Sequence, residues 1–467
     1  MYPSTKFLLY TVGIGTFVAG GIWGFPFLAK DAFAEFKEGS GPLGNSTGVQ
    51  LTNAKMTIYD GDKLVTSANI DTINIRKDQQ LFDFIGVTGK SGDPKSPVDF
   101  SGKSAVYDAM SETMKFQNGV RLKGKNYDLV APTLTVDDKF KNLQVPGTTK
   151  GTLEGGKVAA NDTKLKFKEG TFTTKGVHWT GSLPKVFQDG SPVQTGPKVP
   201  WDIQGVSSKG SKKGLLSFTE ARASDGDQLI RAKNVDYDQK KDILIATGPA
   251  YYYSADVNLV ADKITVYRKE KRVLLSGDVR MLVKPKSQAD LNEDVIPPFR
   301  PDVPESVSSG RPAPPTTEEA SQQKDLDDAL RNGKTIRDYP ALVKATEISY
   351  HYAKGARRAD ISGSPECVQD FPGGRWRRIA SHSARYDGEK ELLRLISAEG
   401  KSDVRLKTSI GDDLKADWFE VSTKESEDDA QDWEGANVRG KFMVDDEEVP
   451  KKEEKKSPPP DPVKSGG

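Results

Sequence analysis

Residues 229–282 read LIRAKNVDYDQKKDILIATGPAYYYSADVNLVADKITVYRKEKRVLLSGDVRML. Apolar, β-branched and aromatic residues alternate with polar ones over short runs, and charged turns part the runs before any 3.6-residue period develops. Two hairpins can be read directly from it. The turn at 238–242 leads to Leu244, Ala246, Gly248 and Ala250, and the turn at 268–272 leads to Val273, Leu275, Gly277 and Val279. A glycine late in a strand marks a bend, a bulge or a close approach of backbones.

The first strand of each pair carries a pattern of its own, hxAxxhxh, in which a small residue precedes a step of three. It is complete at Ile230/Ala232/Val235/Tyr237 and at Leu259/Ala261/Ile264/Val266. Working outward, it recurs at Leu129/Ala131/Leu134/Val136, Val343/Ala345/Ile348/Tyr350 and Leu414/Ala416/Phe419/Val421, with a serine copy at Ile379/Ser381/Ala384/Tyr386. Weaker copies start at Leu51 and Val158. This is a degenerate repeat array. The step of three breaks strict alternation, so one face can stay apolar only if a bulge or bend absorbs the extra residue. Stacked units of this kind predict an all-β, elongated antiparallel sheet in which each unit buries its face on its neighbours.

The array is interrupted twice. Residues 35–175, 216–284 and 341–444 are the predicted β regions. Residues 176–215, rich in Gly, Lys, Ser and Pro, read as an irregular insertion carrying Trp179 and Trp201. Residues 285–340 read as a Pro-rich linker or external loop, with a capping box at Thr316-Thr317-Glu318-Glu319 opening a short helix. The tail 445–467 has mixed charge, prolines and almost no apolar residues, a composition expected to stay disordered.

At the other end, FLLYTVGIGTFVAGGIWGFPFLA (7–29) has no charged residue, and its length suits a transmembrane helix. A cleaved signal peptide with Ala32-Phe33-Ala34 as its cleavage site competes, but its apolar region would be unusually long. The 1–34 segment is therefore expected to be a single-pass anchor. Lys6 keeps the short end cytoplasmic, so the rest of the chain is expected to be exported. Gly20 and Gly24 form GxxxG, a face on which another helix can approach closely.

Composition narrows the chemistry. Over 467 residues, 68 basic and 67 acidic side chains leave a net charge of +1, which with export disfavours nucleic acid as a partner. The lone Cys367 and the scattered His178, His351 and His382 leave little for a disulfide, a metal cage or a thiol enzyme. Neither His351, between tyrosines, nor His382, between serines, has a local base–nucleophile arrangement. No catalytic residue, metal or cofactor is expected. The cluster Arg375-Trp376-Arg377-Arg378 is the local exception to neutrality: Arg375, Arg377 and Arg378 are candidates for pairing with a lipid phosphate or a partner's carboxylates, against the alternative of a solvated turn.

The apolar span followed by these repeats, with Tyr107-Asp108, Tyr237-Asp238 and Tyr386-Asp387 before turns and glycines late in the second strands, resembles the lipopolysaccharide-export proteins of the LptC and LptA (OstA-like) family. The resemblance covers 50–147, 216–284 and 341–444 as pieces. It implies a twisted, incompletely closed β-jelly-roll that holds acyl chains of lipopolysaccharide or a related lipid. It also implies a place in the inner membrane beside ABC transporter membrane subunits, and transfer to an LptA-like periplasmic bridge protein. The greater length, the several blocks and the Pro-rich segment depart from a simple LptC layout. In the residues themselves, Val120, Leu122, Leu129, Leu134, Val136, Leu259, Ile264, Val266, Leu414, Phe419 and Val421 would form a continuous apolar inner face. That face is ordinary core if the layers close and a lipid slot if they stay apart. Two other readings fit the same pattern: an exported β-repeat scaffold with a dry core that binds protein or glycan, and a parallel β-helix enzyme acting on polysaccharide.

Overall fold

The computed structural model describes residues 47–441, apart from 61–62, 77–79, 92–97, 125–126, 138–141, 154, 167–170, 185–197, 212–213, 239, 286–295, 300–329, 331–338, 354 and 423–433. The predicted membrane span with Gly20 and Gly24, most of the Pro-rich segment and the tail lie outside the described residues. Among the described residues no helix is long and apolar enough to cross a membrane.

The described residues form one continuous antiparallel sheet of 27 strands. It opens with β1 (Thr47–Asp60), β2 (Lys63–Arg76), β3 (Leu81–Ser91), β4 (Val98–Asp108) and β5 (Thr113–Gly124). β6 (Tyr127–Ala131) and β7 (Leu134–Asp137) are two halves of one pass, interrupted at Pro132. Then come β8 (Asn142–Leu153), β9 (Gly156–Lys166), β10 (Thr171–Pro184), β11 (Lys198–Ser211), β12 (Leu215–Ser224), β13 (Gln228–Asp238), β14 (Ile243–Ser254), β15 (Val257–Tyr267), β16 (Arg272–Val283) and β17 (Ala341–His351). Beyond β17 the strands shorten: β18 (Arg358–Ser362), β19 (Glu366–Phe371), β20 (Arg375–Ala380), β21 (Ser383–Asp387), β22 (Leu392–Ile396), β23 (Val404–Thr408), β24 (Asp413–Ala416), β25 (Trp418–Ser422), β26 (Glu434–Ala436) and β27 (Arg439–Lys441).

Each pass pairs with the passes before and after it in sequence, and every pairing among the described residues is antiparallel. The parallel β-helix is thereby excluded. The connectivity is a plain meander, without the crossovers of Greek keys.

A line of bends divides the meander lengthwise. Ladders slip between Gly102 and Ser104, Val145 and Thr148, Ala232 and Asn234, Thr247 and Ala250, Val260 and Lys263, and Ser276 and Val279. Where a ladder crosses a hxAxxhxh copy the slip falls at its step of three, but the extra residue lies in the partner strand, at or beside the late glycine. Gly147, Gly248 and Gly277 all have positive φ at the line. A Cβ on Gly277 would lie 2.2 Å from the Asp262 Oδ2 that accepts the Asp278 N–H. The small residues sit beside the bend because the two halves converge there: Ala246, Ala250 and Ala261 are almost fully buried, and Ala232 pairs with Ala250, which pairs with Ala261.

Beyond β17 the bend becomes a break. One half-sheet continues as β18, β21, β22, β25 and β26, the other as β19, β20, β23, β24 and β27. Their inner faces pack together, since Ile379, Leu406 and Leu414 of one half and Ala384, Leu395 and Phe419 of the other form a single cluster. The result is a sheet folded lengthwise on itself into two facing layers, jelly-roll-like in cross-section.

One segment reads differently in the structure. Residues 176–215, expected to be irregular, lie largely in β10 and β11, which are full members of the sheet. The 285–340 segment leaves after β16 and returns to β17, and these strands pair directly from Arg272↔His351 to Val283↔Ala341. It is an excursion between adjacent strands of one sheet.

Candidate functional site

The space between the layers is where the predicted lipid-facing residues fall. Val120, Leu122 and Leu134 are buried in the first core and Leu129 packs against it. Ile264 and Val266 belong to a second core with Leu259 at its margin, and Leu414 and Phe419 belong to the third. Val421 is buried on β25, two positions beyond Phe419. The backbone of Val136 pairs with Met114 and Leu143, and its side chain lies outside the described residues. The expected continuous inner face is therefore divided into three cores.

They differ in packing. The second core includes Ala232, Ala246, Ala250, Ala261, Ala345 and Ala359, and side chains of that size let the layers close. The first is built mainly from larger side chains, Ile, Leu, Val, Phe, Tyr and Trp, and frames a partly open, mainly apolar cavity of about 130 Å³. Val120, Leu122 and Leu129 from one layer and Leu134 from the other line it. Sequence reasoning missed Phe172, Val177, Leu216 and Phe218, which complete the wall. They lie in or beside the stretch read as irregular; the alternation of Leu216 with Phe218 was the signal available. Its volume is close to the roughly 150 Å³ that takes a benzene-sized guest, and its exposed walls are mainly apolar, so this space suits a short run of methylenes. Burying each CH₂ contributes about 0.8 kcal/mol.

The arginine cluster is placed otherwise than expected. A 3-10 turn at Pro372–Gly374 precedes it, so Arg375, Arg377 and Ile379 alternate along β20 toward one face. Arg377 is fully buried. Its Nε and Nη2 donate to Gln369 Oε1 at 3.1 and 2.5 Å, and its Nη1 donates to the Leu330 carbonyl at 3.1 Å. Burial draws this guanidinium down to about 10, with Cys367 opposing the shift. Arg377 thus fastens the excursion to the sheet and is closed to an outside phosphate. Arg378 pairs with Glu366 at 2.5 Å, and Arg375 is half-buried.

The Tyr-Asp motifs are hairpin hardware. Asp108 Oδ1 accepts the Met110 and Ser111 N–H groups, Asp238 Oδ1 those of Lys240 and Lys241, and Asp387 Oδ1 those of Glu389 and Lys390. Each turn then ends on a left-handed residue: Glu112, Asp242 or Glu391. Tyr237 donates to Asp242 at 2.7 Å, and Arg268 Nη1 donates to both, closing one turn over the next. Tyr107 packs on Phe82 at 5.9 Å, and burial, with help from Glu112 and Asp108, pushes its hydroxyl up to about 12.

No protein-family model matches this chain, and no curated protein matches it. Among solved structures it is similar to LptH from Pseudomonas aeruginosa, described as the LptA-homologous periplasmic component of the lipopolysaccharide transport device. The identity is 13%, the match covers 33% of this chain and 78% of that one, and the TM-score is 0.20. A likeness of this size leaves the function to be argued from the chain's own residues.

Proposed function

We propose that the chain is a non-enzymatic lipid carrier of the lipopolysaccharide-export type, with the space between the layers of its first core as the acyl-chain slot. The observation that carries this reading is the apolar cavity lined from both layers by Val120, Leu122, Leu129 and Leu134. The OstA-like repeat motifs support it independently. In this reading residues 7–29 tether the protein to the inner membrane beside ABC transporter subunits, and lipopolysaccharide or a related lipid passes to an LptA-like partner. Alkaline extraction of membranes separates a tethered chain, which stays in the pellet, from one whose leader has been cleaved.

A dry scaffold is the second reading, and the second and third cores favour it: Ala250, Val279, Val404 and Ala416 there have no exposed surface. One experiment addresses both. Photocrosslinkers at Val120 and Leu134 are expected to capture lipopolysaccharide in cells that make it, well above the outward-facing Arg121 and Thr135, with Val266 near background. Capture at Val120 and Leu134 no better than at Arg121 removes the carrier reading.

A further inference from the structure

The slot of the first core carries one polar stretch. Val158/Ala160/Thr163/Leu165 is a weaker copy of hxAxxhxh, and the residue after its step of three is a threonine where the complete copies have Leu134, Val235, Ile264, Ile348 and Phe419. The next two strands extend the exception. Val145 pairs with Thr163, Thr163 is hydrogen-bonded to Thr174, Thr174 pairs with Ser208, and Ser208 pairs with Phe218. From β8 to β12 the row beside the bend therefore reads Val, Thr, Thr, Ser, Phe, and all five residues line the apolar cavity.

Buried hydroxyls cost free energy unless they are hydrogen-bonded. Thr174 and Ser208 are only 7% and 6% exposed. Two of the three hydroxyls are satisfied within the protein: Thr163 Oγ1 donates to Thr174 Oγ1 at 3.2 Å, and Thr174 Oγ1 donates to the Asn161 carbonyl at 2.8 Å. Ser208 is the third, and among the described residues its Oγ has no hydrogen-bond partner. Its cross-strand neighbour Phe218 packs against the first core, so Ser208 shares the inner face and points at the cavity. A binding space walled by apolar side chains takes its selectivity from the few polar groups placed in it.

We propose that Ser208 sets the specificity of the slot by donating a hydrogen bond to a hydroxyl carried on the acyl chain itself. This rests on the carrier reading and adds the chemistry of the chain that fits. The oxygen belongs to the chain and not to a headgroup, because one serine among apolar walls satisfies one oxygen, whereas a charged or many-hydroxyl head would lose its water there. A plain alkyl chain leaves Ser208 without a partner, and that difference discriminates between the two guests.

The test uses the full chain in neutral detergent with three probes of equal length, each read by competition with a fluorescent fatty acid: myristic acid, β-hydroxymyristic acid and ω-hydroxymyristic acid. Ser208→Ala is expected to weaken binding of at least one hydroxylated probe about three- to tenfold, the worth of one hydrogen bond, with myristic acid bound as before and the melting curve unchanged. The probe that responds marks how deep the chain sits. Thr149→Val removes another hydroxyl of the cavity wall, across the bend from Ser208, and is expected to leave all three affinities as they were. Unchanged binding of both hydroxylated probes by Ser208→Ala, the result if Ser208 holds only water, overturns the proposal. So do a parallel loss of all three probes, which would mark a packing role, and an equal effect of Thr149→Val. If the wild type binds none of the three, the carrier reading itself fails.

Discussion

Arg377 shows how much of the molecule rests on single buried polar contacts. Its partner Gln369 is also without exposed surface, and Gln369 Nε2 donates to the Tyr339 carbonyl at 3.3 Å. The pair therefore grips the excursion at two points, Leu330 and Tyr339, while the Tyr339 ring packs on Phe371 at 4.5 Å. Replacing Arg377 with alanine removes its hydrogen bonds to Gln369 Oε1 and the Leu330 carbonyl, and a buried polar group that loses its donor costs about 1–3 kcal/mol. The expected result is a urea midpoint lowered by an amount of that order, together with faster protease cleavage near residue 330. Arg377→Ala with the midpoint of the wild type would show that the clamp carries no stability. In the sequence, RWRR looked like a solvated or ligand-binding run. What decided otherwise was the strand parity set by Pro372–Gly374, which turns Arg377 inward beside Ile379.

At the scale of the strand, the bend line can be tested by separating strain from collision. Gly119 has φ +96° and nothing within 4 Å of a Cβ, whereas Gly277 has φ +101° and the Asp262 carboxylate 2.2 Å away. A side chain in left-handed backbone costs about 1–2 kcal/mol by itself. Gly119→Ala is thus expected to lose about that much in chemical denaturation, and Gly277→Ala distinctly more, because Asp262 must also release the Asp278 N–H. Equal losses would mean that the bulge tolerates the carboxylate moving. This line was legible in the hxAxxhxh spacing and the late glycines, since a step of three in an otherwise alternating strand has few structural solutions. Strands β10 and β11 were hidden for a definable reason. Apolar alternation there is replaced by aromatic rings lying over glycines: Trp179 covers Gly156 and Gly181, and Phe172 covers Gly210. A glycine beneath a ring is a full member of a sheet yet contributes nothing to a hydropathy pattern. The cavity wall at Phe172 and Val177 was lost with them, whereas Val120, Leu122, Leu129 and Leu134 could be read directly.

For the whole molecule, the charges matter as a distributed set. Hydrogen bonds from Arg121 and Arg405 hold Asp128 and Asp413 below the ordinary carboxylate range, Arg357 does the same for Glu389, and Ser402 with Asn437 for Asp417. Folded values that lie below the unfolded ones add stability that is complete above about pH 4 and is lost as the pH falls through the folded values. The melting temperature is therefore expected to be level from neutral pH to about 5 and to fall below about 4. A melting temperature unchanged to pH 2 would show that these pairs contribute nothing. The meander has a further consequence, for the way the chain is made. Because each pass pairs with its neighbours in sequence, contact order stays low, and a repeat array of this kind can nucleate at any hairpin and grow by accretion. A chain delivered N-terminus first can lay down β1 to β5 before β24 exists, with each arriving hairpin finding its template already in place.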